Sequence, residues 1–315
     1  MIKTVLVTGG AGFIGSNLVE RLLSEGKKVI VYDNFSTGKR ENLEALVEVE
    51  IVKGDISKGF YKDLCELSQK FEGIDSIVHL AAQVSVQKSV KDPVFDAEQN
   101  YLPIYDLVKF AEESKTLKSI VFASSAAVYG DVTVFPVKES EDCSPLSPYG
   151  LHKLMCEKVL FSGANSVSST ALRFFNIYGP KQDPKSPYSG VISIFIDKAR
   201  SGEAPVVYGS GKQTRDFVYV SNVVDIISAA IEKKDKGFDV FNVGNSKELS
   251  VLELAQKICE QEGVDSRGIS FEEAREGDIF RSVACNEKVK SSLKDFKEVL
   301  IEEGLLKTIR WFKED

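Results

Sequence analysis

Residues 5–23, VLVTGGAGFIGSNLVERLL, place an apolar strand, a glycine-rich turn and an amphipathic helix in immediate succession. No other stretch restricts the fold as strongly. Gly9, Gly12 and Gly15 allow a tight turn, close approach of the backbone to a ligand and close packing of helix on sheet, and Gly10, Gly12 and Gly15 also satisfy the G-x-G-x-x-G spacing. With a strand before and a helix after, the turn is expected to hold the pyrophosphate of a dinucleotide at the helix N-terminus, with Phe13 and Ile14 beside it.

The chain repeats this alternation. Short apolar, β-branched runs at 3–9, 28–33, 48–55, 76–82, 119–125 and 169–176 are continuous rather than alternating, as in strands covered on both faces. Amphipathic stretches at 13–26 and 95–114 lie between them. This predicts an α/β fold, a doubly wound parallel sheet of the Rossmann kind, over residues 1–177. Beyond a Gly/Pro-rich loop at 178–190, residues 178–315 are expected to form a second, smaller α/β lobe, with the chain returning to the sheet over about 215–245.

Asp33, about twenty residues past the glycine loop in VYDN, can accept the hydroxyl hydrogens of an adenine ribose and repel a 2'-phosphate, which favours NAD over NADP. Asn34 and, after the third strand, Asp55 and Ile56 are expected in the same crevice, and Ala81 and Ala82 are further candidates to bind the cofactor; turn formation is the competing role for Asp33 and Asp55.

Composition narrows the function. The net charge is -7, without a basic tract, so no nucleic-acid surface is expected. Five scattered cysteines and two histidines, His79 and His152, form neither a disulfide framework nor a metal-ligand pattern, and His79 reads as a packed strand-end residue. Without a long apolar run or a signal peptide, a cytoplasmic protein with no membrane contact is expected.

In SPYGLHK, residues 147–153, Pro148 marks a helix start and Tyr149 and Lys153 stand four apart, hence on one helix face. A phenol is a poor base at neutral pH, but an adjacent ammonium and a positively charged nicotinamide would favour the phenolate.

TGGAGFIG, HLAAQVSV, SSAAVYG, SPYGLHK, LRFFNIYGP and RDFVYV together resemble, in order and spacing, the extended short-chain dehydrogenase/reductase family, and within it the nucleotide-sugar 4-epimerases. The resemblance implies that Tyr149 is the base, that Lys153 tunes it and binds the nicotinamide ribose, and that Ser125 bonds the reacting sugar hydroxyl, with Ser124 on the cofactor side. It implies that Asn176, Arg215 and Arg275 hold the substrate diphosphate, a grip guanidinium groups suit. It also implies a homodimer built on stretches 95–114 and 147–165, the first carrying Phe95, Leu102, Ile104, Leu107, Val108 and Phe110, more than one buried face needs.

Family members oxidise C4 of a sugar, then return hydride, eliminate water or decarboxylate. Dehydratases carry an acid pair after the catalytic hydroxyl residue, where this chain has Ala126 and Ala127, so reversible C4 epimerisation of a UDP-sugar is expected. Ser282, five beyond Gly277, is small where members restricted to plain hexoses resemble one another in a bulky aromatic, which points to UDP-N-acetylglucosamine as well as UDP-glucose. Ser85 and Gln182 resemble residues lining that sugar pocket, water-facing loop positions being the alternative; Phe280 stands where related chains often have Arg. A UDP-glucuronate 4-epimerase or decarboxylase is the alternative enzyme, and a non-catalytic dinucleotide sensor the alternative of another class.

Overall fold

The structure, a computed structural model, describes residues 2–184, 190–274, 279–293 and 297–314. Its order begins β1 (Thr4–Thr8), α1 (Phe13–Ser24), β2 (Lys28–Asp33), β3 (Val49–Lys53), α2 (Phe60–Lys70), β4 (Ser76–His79), α3 (Val86–Lys91), α4 (Pro93–Asn100), α5 (Pro103–Glu113), β5 (Ser119–Ser125), α6 (Pro148–Gly163) and β6 (Ser168–Phe174). It continues with β7 (Asn176–Tyr178), α7 (Val191–Arg200), β8 (Val206–Tyr208), β9 (Thr214–Arg215), β10 (Phe217–Tyr219), α8 (Val220–Ile231), β11 (Gly237–Val243), β12 (Leu249–Ser250), α9 (Val251–Glu262), β13 (Ser270–Glu272) and β14 (Arg281–Ser282). Helices α10 (Glu287–Ser292) and α11 (Ile301–Glu314) follow.

Seven strands form one parallel sheet in the order β11-β6-β5-β4-β1-β2-β3. Valines and isoleucines of the central strands are fully buried because helices cover both faces. Packed around α1 and α8 is one apolar cluster, around α2, α5 and α6 another. Strand order reverses between β1 and β4, and a crevice outside the carboxyl ends of strands at such a point is where open α/β sheets bind ligands. Edge strand β11 comes from residues 237–243, late in the chain.

Outside the large sheet lie α7, α9 and short strand pairs. Strand β9 lies between β12 and β14, with Ser282 of β14 opposite Arg215 of β9, while β10 pairs with β7 and β13 with β8.

Two expectations are corrected. The stretch 95–114 is not one helix: α4 ends at Asn100 and α5 begins at Pro103, because proline lacks the N–H that would continue the ladder. Most of its apolar side chains are also already covered. Ile104, Leu107, Val108 and Phe110 are buried within the chain, Leu102 alone of the six being largely exposed.

Candidate active site

The glycine loop closes β1 onto α1 as its residues require. Gly9 has φ +69°, and a Cβ there would stand 2.8 Å from the Ala81 backbone nitrogen across the switch point. At Gly15 a Cβ would meet the Gly9 carbonyl oxygen at 2.2 Å. No side chain caps the N-terminus of α1, so its first N–H groups face the crevice as an anion site would need.

Asp33, at the end of β2, accepts from the backbone nitrogens of Ala11 (3.0 Å) and Phe35 (2.8 Å), which ties the glycine loop to the strand. Each oxygen keeps lone-pair capacity for a ribose hydroxyl. Asn34 Oδ1 accepts from Ser36 N. Burial would raise the Asp55 pKa, but bonds from Ser57 and Asn34 outweigh it and hold the carboxyl below its ordinary value. Ile56 is buried beside it, and Ala81 N, just before Ala82, donates to Thr8 Oγ1 at 3.2 Å.

Helix α6 carries Tyr149 and Lys153. Ser147 caps it by accepting from Gly150 N (3.1 Å) and Pro148 is its first residue. Its first turn is also held from α3, where Ser89 Oγ accepts from Tyr149 N at 3.1 Å. One turn on, Lys153 Nζ donates to the Ala123 carbonyl of β5 at 2.8 Å and lies 5.8 Å from the Tyr149 ring centroid. Ser125 ends β5 in an extended conformation, accepts from Ala127 N at 3.2 Å, and its hydroxyl acts on the Tyr149 phenol in the sense that favours ionisation.

The protonation balance differs from expectation. Burial pushes the Tyr149 phenol up to about 12, the Ser125 hydroxyl offsetting this only in part while the Asp96 carboxylate adds to it. Burial also brings the Lys153 ammonium down to about 8. The protein's own groups therefore do not favour the phenolate, because desolvation outweighs them.

Ser124 is a second difference. Its hydroxyl donates to Glu157 at 2.5 Å, inside a buried pair in which Arg173 grips the same carboxylate at 3.0 and 2.7 Å. The side chain expected on the cofactor side is thus committed to the interior. Glu157 stands four residues after Lys153 and eight after Tyr149, so one helix face engages three successive residues of β5, a pattern the sequence reading missed.

Of the residues expected at the substrate, Asn176 sits on β7 beside β10, and Arg215 and Ser282 are register partners on β9 and β14. Gln182 accepts from Ser193 Oγ of α7 (2.6 Å), and Ser85 caps α3 by accepting from Lys88 N (3.0 Å), so both make bonds within the protein. Arg275 lies outside the described residues. Phe280 is exposed and contributes its carbonyl to Thr214 N.

A glycine loop at the switch point and a Tyr/Lys/Ser cluster at the carboxyl ends of the same sheet define a dinucleotide-dependent enzyme of the α/β class. The chain belongs to the NAD dependent epimerase/dehydratase family, which matches residues 5–244. It is 36% identical to the UDP-glucose 4-epimerase of Mycolicibacterium smegmatis over 313 residues, 98% of either chain. Among solved structures it resembles the UDP-glucose 4-epimerase of Thermotoga maritima with UDP-glucose (TM-score 0.91, 35% identity, 99% of each chain). It is also similar to the UDP-N-acetylglucosamine 4-epimerase of Methanobrevibacter ruminantium in complex with UDP-N-acetylmuramic acid (TM-score 0.90, 35% identity, 99% of each chain). NAD is the cofactor of this enzyme, and the glycine loop, the uncapped α1 and Asp33 fit it. Among the described residues no helix is long and apolar enough to cross a membrane.

Proposed function

We propose that the protein reversibly inverts C4 of a UDP-hexose, taking UDP-N-acetylglucosamine and UDP-N-acetylgalactosamine as well as UDP-glucose and UDP-galactose. The observation that carries this reading is that Tyr149 and Lys153, one turn apart on α6, stand at the end of β5 that carries Ser125, Lys153 Nζ being held by the Ala123 carbonyl, with alanines rather than acids at 126 and 127. An elimination would need a carboxyl acid and base at those two positions.

NAD, when bound, supplies the acceptor and donor of hydride and a positive charge near the phenol. Tyr149, ionised under that charge, takes the O4 proton while Ser125 steadies the oxygen. The resulting 4-keto sugar turns about its diphosphate link and presents its other face, and Tyr149 returns the proton. Asn176, Arg215 and Arg275 anchor the diphosphate while the sugar turns. Ser282 leaves room for a C2 acetamide, with Ser85 and Gln182 along the same pocket. Residues 1–177 and 215–245 hold the cofactor, and the smaller lobe holds the nucleotide sugar.

The enzyme is further proposed to act in the cytoplasm as a homodimer. Val94 of α4, Leu102 and Tyr105 of the α5 start, and Leu151 and Phe161 of α6 remain exposed after the chain has folded, a surplus that a two-fold helical interface would cover.

Product identification after separate incubation with UDP-glucose, UDP-N-acetylglucosamine and UDP-glucuronate tests the reading. C4 epimers of the first two are expected; decarboxylation or epimerisation of the third alone would replace it. Tyr149→Phe should lower turnover about 100-fold or more while retaining NAD.

A further inference from the structure

We propose that the Asp96–His152 pair sets the pH window in which Tyr149 and Lys153 work, with both acting as positioning residues. This rests on the reading of Tyr149 as the base.

Asp96, on α4, has no exposure to solvent. Its Oδ1 accepts from Gln83 Nε2 (2.6 Å) and Asn100 Nδ2 (3.0 Å), and its Oδ2 meets His152 Nδ1 at 2.6 Å. One buried carboxylate thereby joins the two walls of the crevice, the loop after β4 through Gln83 and helix α6 through His152. His152 lies between Tyr149 and Lys153 in sequence, and its ring stacks on Tyr101 at 10° with centroids 6.1 Å apart. Tyr101 in turn bonds the Tyr105 hydroxyl, so the stack runs from the interior to the exposed side of α5.

A fixed anion beside an acid–base pair has a definite sign of effect. It disfavours the phenolate and favours the ammonium, and Asp96 acts on Tyr149 and on Lys153 in these two senses. The other groups facing the pair are Ser125 of β5, Cys156 on α6 itself and His79 of β4, which the Lys153 charge helps to keep neutral. Asp96 is the carboxylate acting on both members, and His152 Nδ1 is the donor on its second oxygen.

Removing the anion should therefore lower the pKa of both members, and both limbs of the pH profile of kcat/KM should slide to lower pH. Removing the donor while keeping the ring should leave the anion less compensated and slide both limbs upward. The variants are Asp96→Asn and His152→Phe, measured as the NAD-loaded enzyme on UDP-glucose and UDP-N-acetylglucosamine. Shifts of about half a pH unit or more, about threefold in phenolate fraction, are expected in opposite directions. An ultraviolet difference titration of Tyr149, taken against Tyr149→Phe without sugar, should show the same two displacements. A helix-packing role alone would change rates or melting temperature and leave both limbs in place. If Tyr149→Phe turns over like the parent, the base assignment fails. If that variant is inactive but the limbs of Asp96→Asn and His152→Phe stay put or move together, the base assignment stands and the inference is overturned. Should Asp96→Asn not fold, the His152→Phe shift decides alone.

Discussion

His79 ends β4 with its ring between Phe60 (centroids 5.9 Å) and Phe122 (6.1 Å), and its Nδ1 lies 3.0 Å from Thr8 Oγ1. That hydroxyl oxygen also accepts from Ala81 N, so Thr8 fixes both the loop after β4 and the imidazole, which is held neutral. Burial first, and the Lys153 charge second, bring its pKa down to about 3. Above the unfolded value of about 6.5 both states are neutral and the stability contribution is fully present. Below it the unfolded chain takes up a proton that the folded one refuses, so stability falls with pH until about 3. The slope is about 1.4 kcal/mol per pH unit, which gives about 2 kcal/mol between pH 6.5 and 5. Chemical denaturation of the parent and of His79→Asn over that range isolates the effect, because the other titrating groups are common to both chains. The variant carries a constant packing loss, but its slope should be shallower by that 2 kcal/mol, or about 4 °C in melting temperature. Parallel slopes would show that His79 takes its proton in the folded state and refute the reasoning.

Ser282→Tyr should abolish conversion of UDP-N-acetylglucosamine while sparing UDP-glucose, since a filled pocket repels an added group more strongly than an open one rewards it; an unchanged ratio of the two rates would remove Ser282 from the pocket. Apo enzyme should regain activity with NAD far better than with NADP because a 2'-phosphate would face Asp33, and equal reactivation would show that this carboxylate only ties the loop. Light scattering at micromolar concentration should give twice the chain mass and Leu102→Glu a smaller one; a monomeric parent would rule out the helical interface.

The parts of the site that were legible from sequence are those whose chemistry is local. Gly9 and Gly15 are needed by backbone within a few residues or directly across the sheet, and Ser147-Pro148 announces the helix that puts Tyr149 and Lys153 on one face. The break at Pro103 was hidden because apolar spacing continues on both sides of it. Asp96 and His152 are 56 residues apart, and no periodicity connects them. Ser124 and Ser125 look alike as a pair, but Ser124 donates to Glu157 while Ser125 accepts from Ala127 N and acts on the Tyr149 phenol, a division visible only once α6 is placed on β5. The phenol's upward shift was likewise illegible, since opposite charges can be counted from sequence but burial cannot.

Asp216, fully buried, accepts from the backbone nitrogens of Asn245, Ser246 and Ala284. Residues 283–286 are stitched to the body of the protein by that Ala284 bond and by four more. Val137 N donates to Val283 O, Cys285 N to Val137 O, Asn286 N to Ser246 Oγ and Asn286 Nδ2 to Gly244 O. At about 1 kcal/mol each, parting this seam would cost about 5 kcal/mol, so about one molecule in several thousand stands open there at any moment. The strand bearing Ser282 enters this seam directly, so it is held against swinging outward. If Ser282 lines the sugar pocket as proposed, tolerance there is a matter of atoms present or absent, and selection for a new substrate has side chains to work on rather than a hinge.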